Sequence, residues 1–298
     1  MSIASGNFPE LLWPGIHDLW GVDYKEYKAL YPRIFTVKKS TMAFEKEQGV
    51  TGLPLASVKQ QAGNVEYVDP YQGFQKEYIN TTYGIGTTVT KEMVSDEKYE
   101  YINKLPKMLN RSAWQTKETL AFNHINRATT AGYTGADGVV LASASHPLVG
   151  GGTYSNIAAT SADLSQTALE ALTQQLMDAV DDRQLTIRVM PKCLLVPTAS
   201  NFTARKLLES DGVVGTDDND VNPLRGMFED LIVSPYLTDT DMFGIVTDVD
   251  NGLVWYDNWK DQFERDNEFD TKSLKMTLVF RVSSGWSDPR GFYFNPGA

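Results

Sequence analysis

Three histidines, His17, His124 and His146, are all this chain offers for imidazole chemistry. None stands in an HExxH pair, and no partner ligands lie at a metal-binding spacing beside them. His124 falls in a run of helical periodicity and His146 directly precedes Pro147, so both read as packed residues rather than bases or ligands. The single cysteine, Cys193, lies in the apolar run Cys193-Leu194-Leu195-Val196 and reads as a small buried hydrophobe. One cysteine excludes an intrachain disulfide and a thiolate cluster, and a reducing, intracellular site of folding fits. Asp218, Asp220, Asn222 and Glu229 have the spacing of a calcium loop, but Pro223 stands where that loop turns on a glycine. Gly150-Gly151-Gly152 could bring backbone amides to a phosphate, yet neither GxxxxGK[ST], GxGxxG nor GxSxG is present. Carboxylates are plentiful, with Asp239, Asp241, Asp248 and Asp250 reading as turn residues, and no two stand out as a glycosidase-like pair. The sequence nominates no catalytic, cofactor-binding or metal-binding residue, and the expectation is a protein that is not an enzyme.

The composition excludes further classes. The chain has 298 residues, 42% of them hydrophobic and 22% charged, which suits about two domains with a sizeable core. Its net charge of -11 argues against gripping nucleic acid, because neutralising phosphates takes clustered lysine and arginine. An acidic wall that encloses nucleic acid without sticking to it remains compatible. No apolar run approaches the roughly 20 residues of a membrane helix. The N-terminal stretch has no basic region ahead of an apolar one, so it does not read as a signal peptide.

The elements carry more message than the chemistry. Residues 64–93 read as two strand-like runs hinged at Asp69-Pro70-Tyr71-Gln72-Gly73. Gly84 and Gly86 interrupt any packed face of the second run and bulky aliphatics are few, so the pair cannot build a core of its own. It is expected to lean on something else, most simply another copy of the chain. Residues 51–63 have the composition of an exposed tip. Residues 1–50 combine scattered aromatics with Pro9, Pro14 and Pro32, which suits either an arm lying on other surfaces or an N-terminal helix packed on the core. Residues 94–130 read as a long helix, acidic at its start and kinked or divided at Pro106. A short strand is expected at 139–142. An amphipathic helix follows at 161–183, capped by Ser161, with Leu164, Ala168, Leu172, Leu176 and Val180 along one face. Further strands are expected over 185–197, near 231–233, 243–249, 253–258 and 273–283, with a short helix at 199–210 and an acidic loop at 216–220. No regular βαβ period appears, so the expected class is α+β.

Several of these residues, in order, resemble a known family. Asp69-Pro70 with Gly73-Phe74, then the run ending Val89-Thr90-Lys91-Glu92, then the long helix, are similar to tailed-bacteriophage major capsid proteins. So are Asp137-Gly138 with Leu141, Ser145-His146-Pro147, and the glycine run with Ser155-Asn156. Leu195-Val196-Pro197, Asn222-Pro223-Leu224, residues 233–239 and Ser287-Asp288-Pro289-Arg290-Gly291 extend the likeness to the C-terminus.

The resemblance implies an N-terminal arm over 1–50 and an extended loop over 51–90. It implies a peripheral domain from 91–134 and 249–298, with a spine helix at 94–130, and an axial domain over 135–248. It implies a major head protein that assembles into pentamers and hexamers of an icosahedral shell around double-stranded DNA, without sequence-specific binding and without a membrane. Assembly would take place in the host cytoplasm, and the chain would reside in the virion. The implied partners are other copies, a separate scaffolding protein, a portal and a decoration protein. Lys59, Phe74, Lys76 and Glu77 are expected at the subunit interface, and Arg290 in an ion pair with a neighbour. Lys59 lies in the loop, but no asparagine and supporting acid match it for a covalent cross-link. Two alternatives stay open: an encapsulin-like compartment that encloses cargo proteins, and a monomeric carbohydrate-active enzyme.

Overall fold

The alternating run near the C-terminus becomes the strand around which half of the protein is organised. The computed structural model describes residues 28–96, 100–212 and 221–298. Along them run α1 (Tyr31–Ile34), β1 (Thr36–Lys39), β2 (Phe44–Val50), β3 (Gln72–Ile79), β4 (Thr81–Val89), α2 (Lys91–Asp96) and α3 (Glu100–Asn126). There follow β5 (His146–Pro147), β6 (Thr153–Tyr154), α4 (Gln166–Met177), β7 (Pro191–Pro197), α5 (Asn201–Glu209) and β8 (Asp230–Ser234). The chain closes with β9 (Phe243–Thr247), β10 (Leu253–Asn267), β11 (Leu274–Trp286) and β12 (Phe292–Asn295). Helices and strands mix without a βαβ repeat, as the α+β expectation has it. No described helix is long and apolar enough to cross a membrane.

The first sheet has the order β1-β10-β11-β4. Met276, Leu278, Phe280 and Val282 alternate along β11 and are buried, the period-two signature of a strand with one face on a core. Leu105, Leu109, Ala113, Phe122 and Ile125 of α3 bury the matching stripe. Each large side chain so buried contributes about 1.5–3 kcal/mol. Pro106 lies inside α3, and the helix is not divided there. Its missing N–H costs one bond in the second turn, while Leu105 and Leu109, both buried, hold that stretch against the core.

The second sheet has the order β12-β9-β7-β8, with β7 and β8 parallel. β7 is buried on both faces. Leu194 and Val196 face the core under α4, where Leu169, Leu172 and Leu176 pack, and Cys193 and Leu195 face the core under α3. Burial pushes the Cys193 thiol up, which suits the small buried hydrophobe read from the sequence. β12, in the 249–298 stretch, pairs with β9 of this second sheet.

Four local expectations change. Residues 64–71 form no strand; the partner of β3 is β2, from the segment read as arm. β4 then leaves that pair across Asn80 and joins β11 of its own chain, so it does not wait for another copy. Residues 139–142 contribute one bridge, Thr134 to Val140, rather than a strand. The cap of α4 is Ser165, whose side chain accepts from the Ala168 amide, not Ser161. Residues before it stay extended because the Ala162 amide donates to Asn295 and Leu164 is buried. His17, the first part of the arm, Glu97, and Asp218 and Asp220 of the calcium spacing lie outside the described residues.

Candidate assembly surface

Residues 51–71 leave the end of β2 and return at β3 with neither helix nor strand between. A neck closes the excursion. The Thr51 amide donates to the Tyr71 carbonyl at 3.0 Å, and the Tyr71 amide donates to Thr51 Oγ1 at 2.9 Å. β2 and β3 approach closely here, for a Cβ on Gly73 would stand 2.8 Å from the Gly49 carbonyl carbon. Arg183 ties the neck to the body: its Nη2 donates to the Asp69 carbonyl at 2.9 Å and its guanidinium lies 4.4 Å from the Tyr71 ring centroid. At the far end the Gly63 amide donates to the Gln60 carbonyl, with Ala62 at φ +62°.

Between neck and tip the loop holds apolar side chains out to solvent. Leu55 is 79% exposed, Val58 95% and Tyr67 94%, and Leu53 and Val65 are exposed as well. The two arms border a cleft of about 360 Å³. Such a contiguous apolar surface contributes nothing to folding this chain and is the signature of an interaction site.

The base of the hairpin is fixed by buried polar groups. Glu47 on β2 accepts from Lys38 Nζ at 2.6 Å, from the Tyr256 hydroxyl at 2.6 Å and from the Ser287 hydroxyl. Burial alone would raise its carboxyl, but these bonds outweigh it and hold the group below the usual range. Asn80, the pivot between the two sheets, donates to Ser40 Oγ at 2.7 Å and to the Met42 carbonyl at 2.8 Å, and accepts from Ser283 Oγ at 2.9 Å.

A second polar knot joins the 135–156 segment to the C-terminus. Asn156 is fully buried, and its Nδ2 donates to the carbonyls of Leu141, Pro289 and Phe292. Its Oδ1 therefore faces the Ser143 amide at 2.9 Å and His146 Nε2 at 3.0 Å. His146 Nδ1 meets Asp137 Oδ2 at 2.5 Å. Among the described residues no group of three or more histidine, cysteine or acidic side chains converges to hold a metal.

The five residues singled out from the sequence scatter. Lys59 is exposed near the loop tip, and Glu77 is exposed on β3 beside Lys46, 3.3 Å away. Phe74 is half-buried on β3. Lys76 is half-buried, donating to the Thr134 carbonyl at 2.6 Å; burial pulls its ammonium below the lysine range, partly offset by Asp137. Arg290 corrects the expectation of an intersubunit ion pair. It is buried and spent within its own chain, donating to Asp182 at 3.0 Å, Asp288 at 3.2 Å and the Val180 carbonyl at 2.7 Å. Burial would lower its guanidinium, and the two carboxylates more than compensate. The sequence reading missed Leu55, Val58 and Tyr67. The available signal was apolar residues recurring, with neither helical nor strand period, in a stretch bounded by glycine and proline.

Residues 75–295 match the family described as phage capsid protein. No curated protein is recognisably similar in sequence. Among solved structures, that of Microbacterium phage Oxtober96 is 9% identical, with all of both chains covered and a TM-score of 0.61. The capsid of a native GTA particle, 12% identical, matches 93% of this chain and 92% of that one with a TM-score of 0.63. The capsid of cyanophage P-SCSP1u is 9% identical over 95% of this chain and 93% of that one, with a TM-score of 0.61. At these identities the likeness concerns the fold.

Proposed function

This chain belongs to the phage capsid protein family and is a capsid shell protein; from that premise we propose that its copies join by laying residues 51–71 on the body of a neighbouring subunit. The observation that carries this reading is the row of exposed apolar side chains, Leu53, Leu55, Val58, Val65 and Tyr67, on a loop with no core of its own. Burying each contributes about 1.5–3 kcal/mol. Association itself costs about 4–15 kcal/mol in lost freedom, before side-chain ordering. One loop contact is therefore weak, and a shell forms because each subunit makes several at once.

Contacts between unlike surfaces close into rings when the rotation allows, which supports pentamers and hexamers of an icosahedral head. In this reading α3 with the first sheet forms the peripheral part, and the second sheet with α4 and α5 the axial part about which rings close. Lys59 and Glu77 face solvent where loop contacts would form, with Phe74 and Lys76 nearer the neck. The net charge of -11 suits a wall that encloses double-stranded DNA without adhering to it. A scaffolding protein, a portal and a decoration protein are the further partners this reading expects, with assembly in the host cytoplasm.

The test is the triple variant Leu55→Ser, Val58→Ser, Tyr67→Ser. All three side chains are exposed in the single chain, so its melting temperature should stay within a few degrees of the parent. By size-exclusion chromatography and negative-stain microscopy it should remain as free subunits under conditions where the parent forms rings or shells. Shells at the parent's yield would overturn the reading.

A further inference from the structure

The body of the subunit carries a cleft whose chemistry complements one stretch of that loop. It measures about 400 Å³ and lies between β3, the C-terminal half of α3, the 133–134 segment and β11. Two cations line it, half-buried Lys76 from β3 and exposed Arg127 from just beyond α3. Among the described residues no carboxylate lies within ion-pair distance of either. Lys76 meets only the Thr134 carbonyl and, at 5.9 Å, the Trp286 ring; Arg127 meets the Tyr133 ring at 4.6 Å. Glu77, the acid on the cleft's wall, is paired with Lys46. The field of the two cations reaches half-buried His124 behind them, where burial first, then Arg127 and Lys76, disfavours the charged ring. Apolar walls complete the cleft, from Ile79, Tyr83, Leu120 and Tyr133.

Lys76 gives up part of its solvation with only Asp137, beyond ion-pair distance, as an opposing charge, and Arg127 has no carboxylate beside it among the described residues. The opposite deficit stands on the loop. Val65-Glu66-Tyr67 presents an exposed carboxylate, without a partner among the described residues, between an exposed valine and a tyrosine 94% exposed. In the single chain this stretch borders the loop's own cleft and not the cationic one.

We propose that the Lys76–Arg127 cleft is the seat for residues 65–67 of a neighbouring copy's loop, with Glu66 between the two cations and Tyr67 against the apolar wall. The assignment rests on the loop-docking reading above and adds the address at which the loop lands. It also gives the contact a direction. One copy's loop enters the next copy's cleft, leaving its own cleft free for a third, which is the head-to-tail relation that ring closure requires.

Carbodiimide cross-linking of assembled parent particles, followed by peptide mass analysis, tests the contact directly. The expected product is an amide between Lys76 Nζ and the Glu66 carboxyl, present in particles and absent from dilute subunits. Lys76 joined instead to an acid within residues 1–27 would give the cleft to the N-terminal segment and overturn the proposal. Arg127→Glu and Glu66→Arg supply an independent arm. Each alone should raise the subunit concentration for half-assembly about ten-fold, and the double variant should restore much of it. Subunit melting curves check that each variant folds. If the apolar loop triple variant blocks assembly while the charge swap shows no rescue and no Lys76–Glu66 product forms, the loop reading stands and this address falls. If nucleic acid co-purifies with the particles and its digestion alone restores the Glu66→Arg variant, the cleft is serving phosphate and the proposal is wrong.

Discussion

Replacing Asn156 should unfasten the knot that holds the C-terminal strand to the rest of the subunit, and the size of the effect follows from its bonds. The side chain is fully buried; its two N–H hydrogens are shared among three carbonyls, and its oxygen accepts from an amide and an imidazole. Asn156→Ala removes the two N–H donors and the acceptor oxygen from a fully buried site; the Pro289 carbonyl keeps the Phe292 amide, while the other partners lose this bond. At about 1 kcal/mol for each of four bonds, the low end for buried groups left unpaired, the loss is about 4 kcal/mol. That is a large share of the 5–15 kcal/mol that holds a typical domain folded. Asn156→Asp keeps the volume but turns an oxygen toward the carbonyls of Leu141, Pro289 and Phe292, so it should cost at least as much. The assay is urea unfolding of the dilute, unassembled subunit, followed by tryptophan fluorescence. With an m-value near 3 kcal/mol/M, either variant should lower the midpoint by about 1.3 M. An aspartate variant within about 1 kcal/mol of the parent would refute the reasoning, because it would show that volume and not bond direction holds the site.

Acid should weaken the subunit in a definite window. Burial, then Arg127 and Lys76, lower His124 from 6.5 to about 4. Between those values the unfolded chain binds a proton that the folded one refuses, so stability falls as pH drops from about 6.5 to 4, by up to about 3 kcal/mol. Unfolding midpoints measured across that range should lose most of their slope in His124→Gln; an unchanged slope would assign the effect elsewhere. Glu47, held low by its bonds, adds its own loss only at more acid pH. At the neck, Gly73→Ala would place a Cβ 2.8 Å from the Gly49 carbonyl carbon, forcing β2 and β3 apart at a cost of about 1–3 kcal/mol. Amide exchange at Thr51 and Tyr71 should quicken in that variant while α4 stays protected, and unchanged exchange at both would contradict the close approach.

The sequence determined those elements whose own periodicity matches what they bury. The α3 stripe through Leu105, Leu109 and Ala113, the α4 face at Leu172 and Leu176, and the apolar run of β7 each carry their burial in their spacing. So does β11, whose alternation is written in SLKMTLVFRVS. The ordered family residues were likewise legible without coordinates. Pairing was not. The outer half of β10, residues 259–267, has little apolar alternation and is a strand because β11 pairs with it through to Asn267. β2 looks like part of an arm until β3 finds it, and β4 looks short of a partner until β11 supplies one. Arg290 shows the same limit in charge: sequence reveals a cation near the C-terminus, while only the fold brings Asp182 from more than a hundred residues away. The apolar loop is the converse, since its leucine, valine and tyrosine spacing fits a buried segment as well as an exposed one. Periodicity is local and travels with the chain; a partner's position comes from the global minimum of burial and hydrogen bonding, which no single stretch contains.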